Sequence, residues 1–395
     1  MKKWLGFLYF WSSIVQSLCA QNNIDLPTAL KQVRSQHVQL QTQRLYLEQQ
    51  NALKDAAKGH PAASFGYGFE ELGVVGSGVH SLYFNQSFNM PSVAQKRAAL
   101  QTAIVEAGSS QLLAIELQLE RAVSQHYQRI LFLKSQEALQ TEILTLYDSV
   151  VTIAERRASV GETGRLPLLT TQNAQQQLML QLLQTQQLAT ASLIDLQLLL
   201  YDNTITGIQD SVLQTPSLEI TSITPPDHPL VLQVQQQQQI LITRRAVLKS
   251  QWLPQFDVGV QLQLVEGTFP NTAGQIGWTV PLFKKGLKAQ LKGNDLGQQQ
   301  LALQAVALTQ TIKLKQKKAA LQIYSLQQQV LYLEQEVLPT LLLQQHLLQR
   351  AYALGEIDYL SVLQSLQQVL NTRQQYLEWL LKLHLQWIDY QYWSS

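Results

Sequence analysis

A mainly α protein with a small β part, its elements set out twice in the same order, is the fold class this sequence predicts. Three observations carry the prediction. Two stretches of about 65 residues keep a helical apolar period. Four short segments alternate apolar and polar residues. The two halves of the chain also resemble each other at an offset of about 194 residues.

The first element is a secretory signal over residues 1–20. Lys2 and Lys3 form a basic start, an apolar run extends from Trp4 to Val15, and Ser17-Leu18-Cys19-Ala20 leads into polar Gln21. The run is shorter than the ~20 residues a helix needs to cross a bilayer, so cleavage after Ala20 is expected rather than retention as an anchor. Cys19 is the one cysteine. Gln16-Ser17-Leu18 before it is a poor lipoprotein signal, and acylation stands as the alternative fate. Cleavage would remove the only thiol and exclude disulfides, cysteine nucleophiles and Cys-based zinc sites. It would also bring the net charge of +2 to zero, as Lys2 and Lys3 leave (+2 − 2), and nothing suggests a nucleic-acid partner. After the signal there is no apolar run of about 18 residues, so a helical membrane span is not expected. An exported chain of this kind is either soluble or crosses an outer membrane as a β-barrel.

Residues 21–201 form the first repeat. An amphipathic helix is predicted over 27–58, strands over 64–72 and 80–90 around a hairpin loop at 73–78, a very long helix over 93–158, a tight turn, and a return helix over 166–200. Residues 202–227 carry Gly207, Pro216, Pro225 and Pro226 and read as a linker with little helix. Residues 228–395 repeat the order: a helix over 229–252, strands over 255–265 and 275–282 around a loop at 267–274, an unbroken helix over 288–352, and a return helix over 359–392. The duplication rests on aligned landmarks. Arg156, Gly161, Glu162, Leu166 and Leu169 match Arg350, Gly355, Glu356, Leu360 and Leu363, and Pro61 matches Pro254 at nearly the same offset.

Only 14% of residues are charged, well below the roughly 25% usual in soluble domains, and glutamine takes up the polar share. Runs such as Gln235 to Gln239 sit between Leu, Val and Ile at helical spacing, so they read as ordered helix and not as disorder. A helix of about 65 residues would be ~100 Å long and needs lateral partners. Leu112, Ile115, Leu119, Val123 and Tyr127 recur at three- and four-residue steps, as coiled-coil or bundle packing requires.

The strands place Phe65, Tyr67 and Phe69 on one face, likewise Leu82, Phe84 and Phe88, then Phe256, Val258, Val260, Leu262 and Leu264, then Ile276, Trp278 and Val280. The pattern fits a soluble sheet resting on a core as well as a lipid-facing barrel. Four strands cannot close a barrel, and open edges do not survive in lipid. The membrane reading therefore requires oligomers, and three copies would supply twelve strands.

Gly161 and Gly355 mark helix-to-helix turns, where a left-handed residue is commonly needed. Glu162, Glu356 and Asp358 lie beside them. Three chains would bring nine such carboxylates to one mouth, a ring that favours cations; equally, they are charges favoured at the start of a return helix. Trp379, Trp387, Tyr390, Tyr392 and Trp393 crowd the C-terminal helix, where packing against neighbouring helices is expected over an interfacial belt.

This order of elements, given twice, resembles the TolC-like outer-membrane efflux proteins over essentially the whole mature chain. The most specific local match runs from Ala351-Tyr352-Ala353-Leu354-Gly355-Glu356 through Ile357-Asp358-Tyr359-Leu360 to Leu363, similar to that family's periplasmic tip; Ser159-Val160-Gly161 to Leu169 is its weaker counterpart. Gln86-Ser87-Phe88-Asn89-Met90-Pro91 resembles the heavy-metal efflux branch. The resemblance implies a homotrimer, with a twelve-stranded barrel among outer-membrane lipids of a Gram-negative bacterium and a helical tunnel in the periplasm. It implies tips that dock a periplasmic adaptor (membrane fusion) protein bound to an inner-membrane efflux pump, with Gly161, Glu162, Leu166, Gly355, Glu356 and Leu360 as docking residues. It also implies a gate at the entrance, for which Tyr352, Asp358, Glu162 and Glu356 are the candidates. Tyr352 takes the position of a gating Tyr. The family's Arg position holds Ile357, and its carboxylate positions hold Pro167 and Ser361, so the usual gate network is incomplete.

No nucleophile motif, paired carboxylates or phosphate loop stands out, and the seven histidines show no metal-ligand spacing. An enzyme, a cofactor and a metal site are not expected. The expected function is a passive efflux exit duct, with metal cations or drugs as its substrates. The rivals are a type I secretion outlet for proteins and a soluble periplasmic coiled-coil scaffold.

Overall fold

The computed structural model describes residues 22–70, 78–216, 228–265, 271–282 and 284–395. Residues 1–21, with the predicted signal and Cys19, residues 71–77 at the first predicted hairpin loop, 266–270 at the second, 217–227 of the connecting segment and residue 283 lie outside the described residues.

Two predicted helices are broken. In place of one helix over 27–58 there are α1 (Leu26–Gln36) and α2 (Val38–Ala56). Asp25 caps α1 by accepting the Thr28 N–H at 3.2 Å, with Pro27 in the first turn. His37 separates the two helices. Its backbone is extended (φ −62°, ψ 127°) and its Nδ1 accepts the Gln39 N–H at 3.2 Å. The ring is buried edge-on against Tyr201, with centroids 5.2 Å apart. That tertiary contact leaves no trace in helical periodicity.

The second break falls in the helix predicted over 288–352. The chain runs as α6 (Lys285–Tyr332), a π-helical turn (Leu333–Val337) and α7 (Leu338–Leu354). Pro339 accounts for it, and the expectation of an unbroken helix overlooks this residue. Proline has no N–H to give the carbonyl one turn back, and its ring crowds that carbonyl. Widening the preceding turn to π geometry relieves the clash.

The other helices form close to expectation: α3 (Pro91–Ser159, 69 residues), α4 (Arg165–Leu200), α5 (Pro229–Ser250) and α8 (Tyr359–Ser394). The chain divides into two compact units, each drawing on both halves of the sequence. One holds the described parts of Met1–Leu40, Glu116–Pro226 and Ile312–Ser395 and is helical. Its core joins Leu139, Ile143, Tyr147 and Val150 of α3 to Leu178 of α4, Leu341 of α7, and Val362, Leu366 and Val369 of α8. The three- and four-residue steps turn one face of each helix inward. Each fully buried aliphatic side chain contributes about 1.5–3 kcal/mol. The C-terminal aromatics pack in this unit: Tyr390, Tyr392 and Trp393 are buried, and the Arg121 guanidinium lies 4.7 Å from the Tyr392 ring.

The connecting segment is fastened to the same unit. Strand β1 (Asn23–Ile24) pairs in parallel with β4 (Gly207–Ile208), and Ile205, Ile208 and Leu213 are buried. From α3, Tyr127 donates to Asp210 at 2.6 Å and Lys134 to the Ile208 carbonyl at 2.9 Å.

The second unit holds Gln41–Ile115 and the described parts of Asp227–Thr311. Its antiparallel sheet comprises β2 (Ser64–Glu70), β3 (Val79–Phe88), β5 (Gln255–Val265) and β6 (Asn271–Thr279), in the order β2-β3-β5-β6. β6 starts earlier than predicted, inside the expected loop 267–274, and ends before Val280. Ala273 and Gly274, opposite Gln261 and Val260, have too little side chain to register as alternation. β3 stops at Phe88, because the Met90 carbonyl already accepts the Val93 N–H at 2.8 Å to begin α3.

Candidate functional site

Two places carry the residues singled out in the sequence: the helix-to-helix turns of the helical unit and one face of the sheet.

Both turns close in the same way. Gly161 and Gly355 adopt the left-handed conformation, φ 77° and 81°. The next N–H reaches back five residues: Glu162 to the Arg157 carbonyl at 2.9 Å, Glu356 to the Ala351 carbonyl at 2.9 Å. This closure satisfies carbonyls left open at a helix end and strains any residue with a Cβ at the glycine. Return helix α4 starts at Gly164 with no side-chain cap, whereas α8 starts at Asp358, whose Oδ1 accepts the Ser361 N–H at 2.8 Å.

Arg157 brings the two turns together. Its guanidinium donates to the Tyr352 carbonyl at 2.7 Å, lies 4.8 Å from the Tyr352 ring centroid, and sits 3.6 Å from a Glu162 carboxylate oxygen. Its side chain is 15% exposed. A Cβ on Gly355 would stand 3.2 Å from the same guanidinium. Tyr352 is 2% exposed, inside the helical core, and burial pushes its phenol above the ordinary value. The gate candidate is thus an interior residue of this chain, covered by a cation. Sequence reasoning passed over Arg157, although the repeat offered a signal: its counterpart is Ala351, so only the first turn carries a cation at this position.

The remaining tip residues face outward. Glu162, Leu166, Glu356, Asp358 and Leu360 are exposed, as are Val160 and Leu354. Both turns therefore present apolar side chains beside carboxylates. Of the three carboxylates, Asp358 acts as a helix cap and Glu162 pairs with Arg157. The Ser361 N–H holds Asp358 below its ordinary 3.8. A depressed folded value means the cap contributes above pH 3.8 and is lost as pH falls through the lower folded value. Protection of the Ser361 amide, taken relative to its intrinsic exchange rate at each pH, should fall only in that acid window, while protection at the Gly161 turn, which has no carboxylate cap, stays flat.

The sheet's apolar residues align across strands. Tyr67, Leu82, Leu262 and Thr272 form one row; Phe65, Phe84, Val260 and Gly274 form the next; Phe256 faces Trp278. The row members Phe65, Tyr67, Leu82, Phe84, Val260 and Leu262 are exposed, Phe65 at 80%. The opposite face is polar and tightly fitted. Asp257 accepts from Ser87 at 2.5 Å and from Thr279 at 2.8 Å, and Tyr83 lies where a Cβ on Gly66 would stand. Strands β2 and β6 form the two edges. Among the described residues no helix is long and apolar enough to cross a membrane, and no cluster could hold a metal ion.

No protein-family model matches the chain, and no curated protein matches it in sequence. Solved structures do. The transmembrane channel protein CusC aligns with a TM-score of 0.75 at 15% identity, over 94% of this chain and 92% of that one. The Campylobacter jejuni outer membrane channel CmeC gives 0.77 at 14%, over 93% and 85%. The Vibrio cholerae outer membrane protein VceC gives 0.76 at 14%, over 94% and 96%. At such identities the likeness is one of fold.

Proposed function

Because this chain has the TolC-like fold of solved outer-membrane channels, we infer that it is an outer-membrane exit duct for efflux. The observation that carries this reading is the sheet. It has one face that is apolar over most of its rows, interrupted at His80, Gln86 and Thr272, and open to its surroundings, one mostly polar face, and two unpaired edges. Exposed apolar area of that extent calls for lipid or a partner, and open edges in lipid call for further strands. Three copies joined β2 to β6 would close twelve strands with every edge paired. The polar face would then line the bore, and the long helices would continue it into the periplasm.

The duct needs no chemistry of its own. A periplasmic adaptor and an inner-membrane pump would supply substrate and energy, and the exposed Val160, Leu166, Leu354 and Leu360 at the turns offer the adaptor an apolar foothold. The carboxylates beside them suit metal cations or cationic drugs as cargo.

Fractionation tests the reading. The protein should resist extraction by salt and alkali, require detergent, and migrate as a heat-sensitive trimer. Release into the soluble fraction without detergent would leave a periplasmic helical scaffold instead.

A further inference from the structure

We propose that a collar of cationic side chains at the helix end of the sheet docks onto anionic phospholipid headgroups of the membrane leaflet facing the periplasm. The proposal rests on the membrane-spanning reading of the sheet and adds its lipid partner.

The antiparallel register brings all four helix-to-strand junctions to one end of the sheet. Ser64 pairs opposite Asn85, Phe88 opposite Phe256, and Gln255 opposite Thr279. Each junction is basic. Lys54 and Lys58 close the approach from α2. Lys96 and Arg97 stand in the second turn of α3. Arg244, Arg245 and Lys249 occupy the last turns of α5. Lys284 precedes α6, and Lys285, Lys288 and Lys292 follow in its first turns. Over residues 54–60, 91–97, 244–252 and 284–292 there are eleven Lys and Arg against one acid, Asp55.

The fold accounts for only part of these charges: Lys54 and Lys249 lie in the last turns of their helices, where the macrodipole favours cations. Lys58 pairs with Asp55 at 3.9 Å and Arg245 with Asp295 at 2.6 Å. The other nine form no ion pair among the described residues. Lys284, Lys285, Lys288 and Lys292 are all exposed. Lys284, Lys285 and Lys288 crowd the start of a helix with no acid in its first turn, the end where the macrodipole disfavours cations. Charges that oppose local stability call for an anion from outside.

The neighbourhood specifies which anion. Phe88, Phe256 and Trp278 sit at this same end of the sheet, with Trp278 63% exposed. The Lys284 ammonium lies 5.8 Å from the Trp252 ring. Aromatic rings bordering an apolar face and followed by lysines match the order of acyl chain, interface and headgroup. A soluble anion would gain nothing from the apolar rows alongside.

The test compares wild type with the variant K284Q/K285Q/K288Q/K292Q, reconstituted in phosphatidylcholine vesicles with and without phosphatidylglycerol. Competition between spin-labelled lipids reads the preference, and single-channel conductance reads insertion. Wild type should prefer phosphatidylglycerol about fivefold or more, the preference should shrink with salt, and the variant should fall toward equal binding while conducting normally in phosphatidylcholine. Equal binding by wild type overturns the collar, even if the variant fails to assemble. So does an unchanged preference in an inserted variant, including one whose ion selectivity shifts, since the lysines would then belong to the conduit. Absence of insertion in either lipid defeats the channel reading itself, a result distinguishable from loss of preference alone.

Discussion

Val260→Arg should abolish membrane assembly, whereas Gln261→Arg should be tolerated. The two residues are neighbours at mid-strand in β5 (Gln255–Val265), and the register sends them to opposite faces. Val260 lies in the row with Phe84 and Phe65 and is 45% exposed, whereas Gln261 faces the polar side opposite Tyr83 and Ala273. An Arg facing lipid near the midplane of a barrel costs about 2–4 kcal/mol. In a ring of three copies the cost would be about 6–12 kcal/mol, comparable to the whole stability of a domain. A lumen-facing Arg keeps its water. The measurement is the yield of heat-sensitive trimer in detergent extracts. Equal yields from the two variants would show that the exposed apolar rows do not meet lipid.

Arg157→Met should loosen the second turn while leaving the first intact. The substitution removes a charge-assisted hydrogen bond to the Tyr352 carbonyl and a cation held over the Tyr352 ring. Together these hold the second turn by about 2 kcal/mol. Amides of residues 351–356 should therefore exchange roughly thirtyfold faster. The Gly161 turn keeps its own closure through the Glu162 N–H. Glu162→Gln should do much less, since that carboxylate is 56% exposed and its pairing is screened. If the turns frame the entrance of a duct, the Arg157 variant should also conduct more. Unchanged exchange together with unchanged conductance would remove Arg157 from any such role.

Much of this fold was legible in sequence because it rests on local period. Strand faces followed from alternation, and the register confirms each apolar residue assigned to a face on β2, β3 and β5. The glycine turns followed from a conformation few other residues adopt. What escaped depends on contacts between distant segments. The break at His37 is held by Tyr201, 164 residues further on (201 − 37). The β1–β4 pairing is two residues long, too short for any period. Arg157 reads as an ordinary helix-end cation until Tyr352 is seen beneath it. Pro339 was a local signal, plain in the sequence, and its effect follows from proline's missing donor. At the turns, glycine positions and flanking carboxylates were readable, whereas the division of labour among those carboxylates was not. That Asp358 caps and Glu162 pairs depends on a backbone N–H and a guanidinium placed by the fold.

The two open edges of the sheet have a genetic consequence. An isologous pairing, β2 with β2, would bury one edge and leave the other bare, so closure requires each copy to hand its β6 to the next copy's β2. In the proposed three-copy ring every subunit is needed at two joints. A subunit defective along β6 alone still offers a sound β2 and enters the ring as a faulty member. In a cell making sound and faulty copies equally, only about one ring of three in eight would be free of the fault. Edge-strand mutations should therefore be dominant.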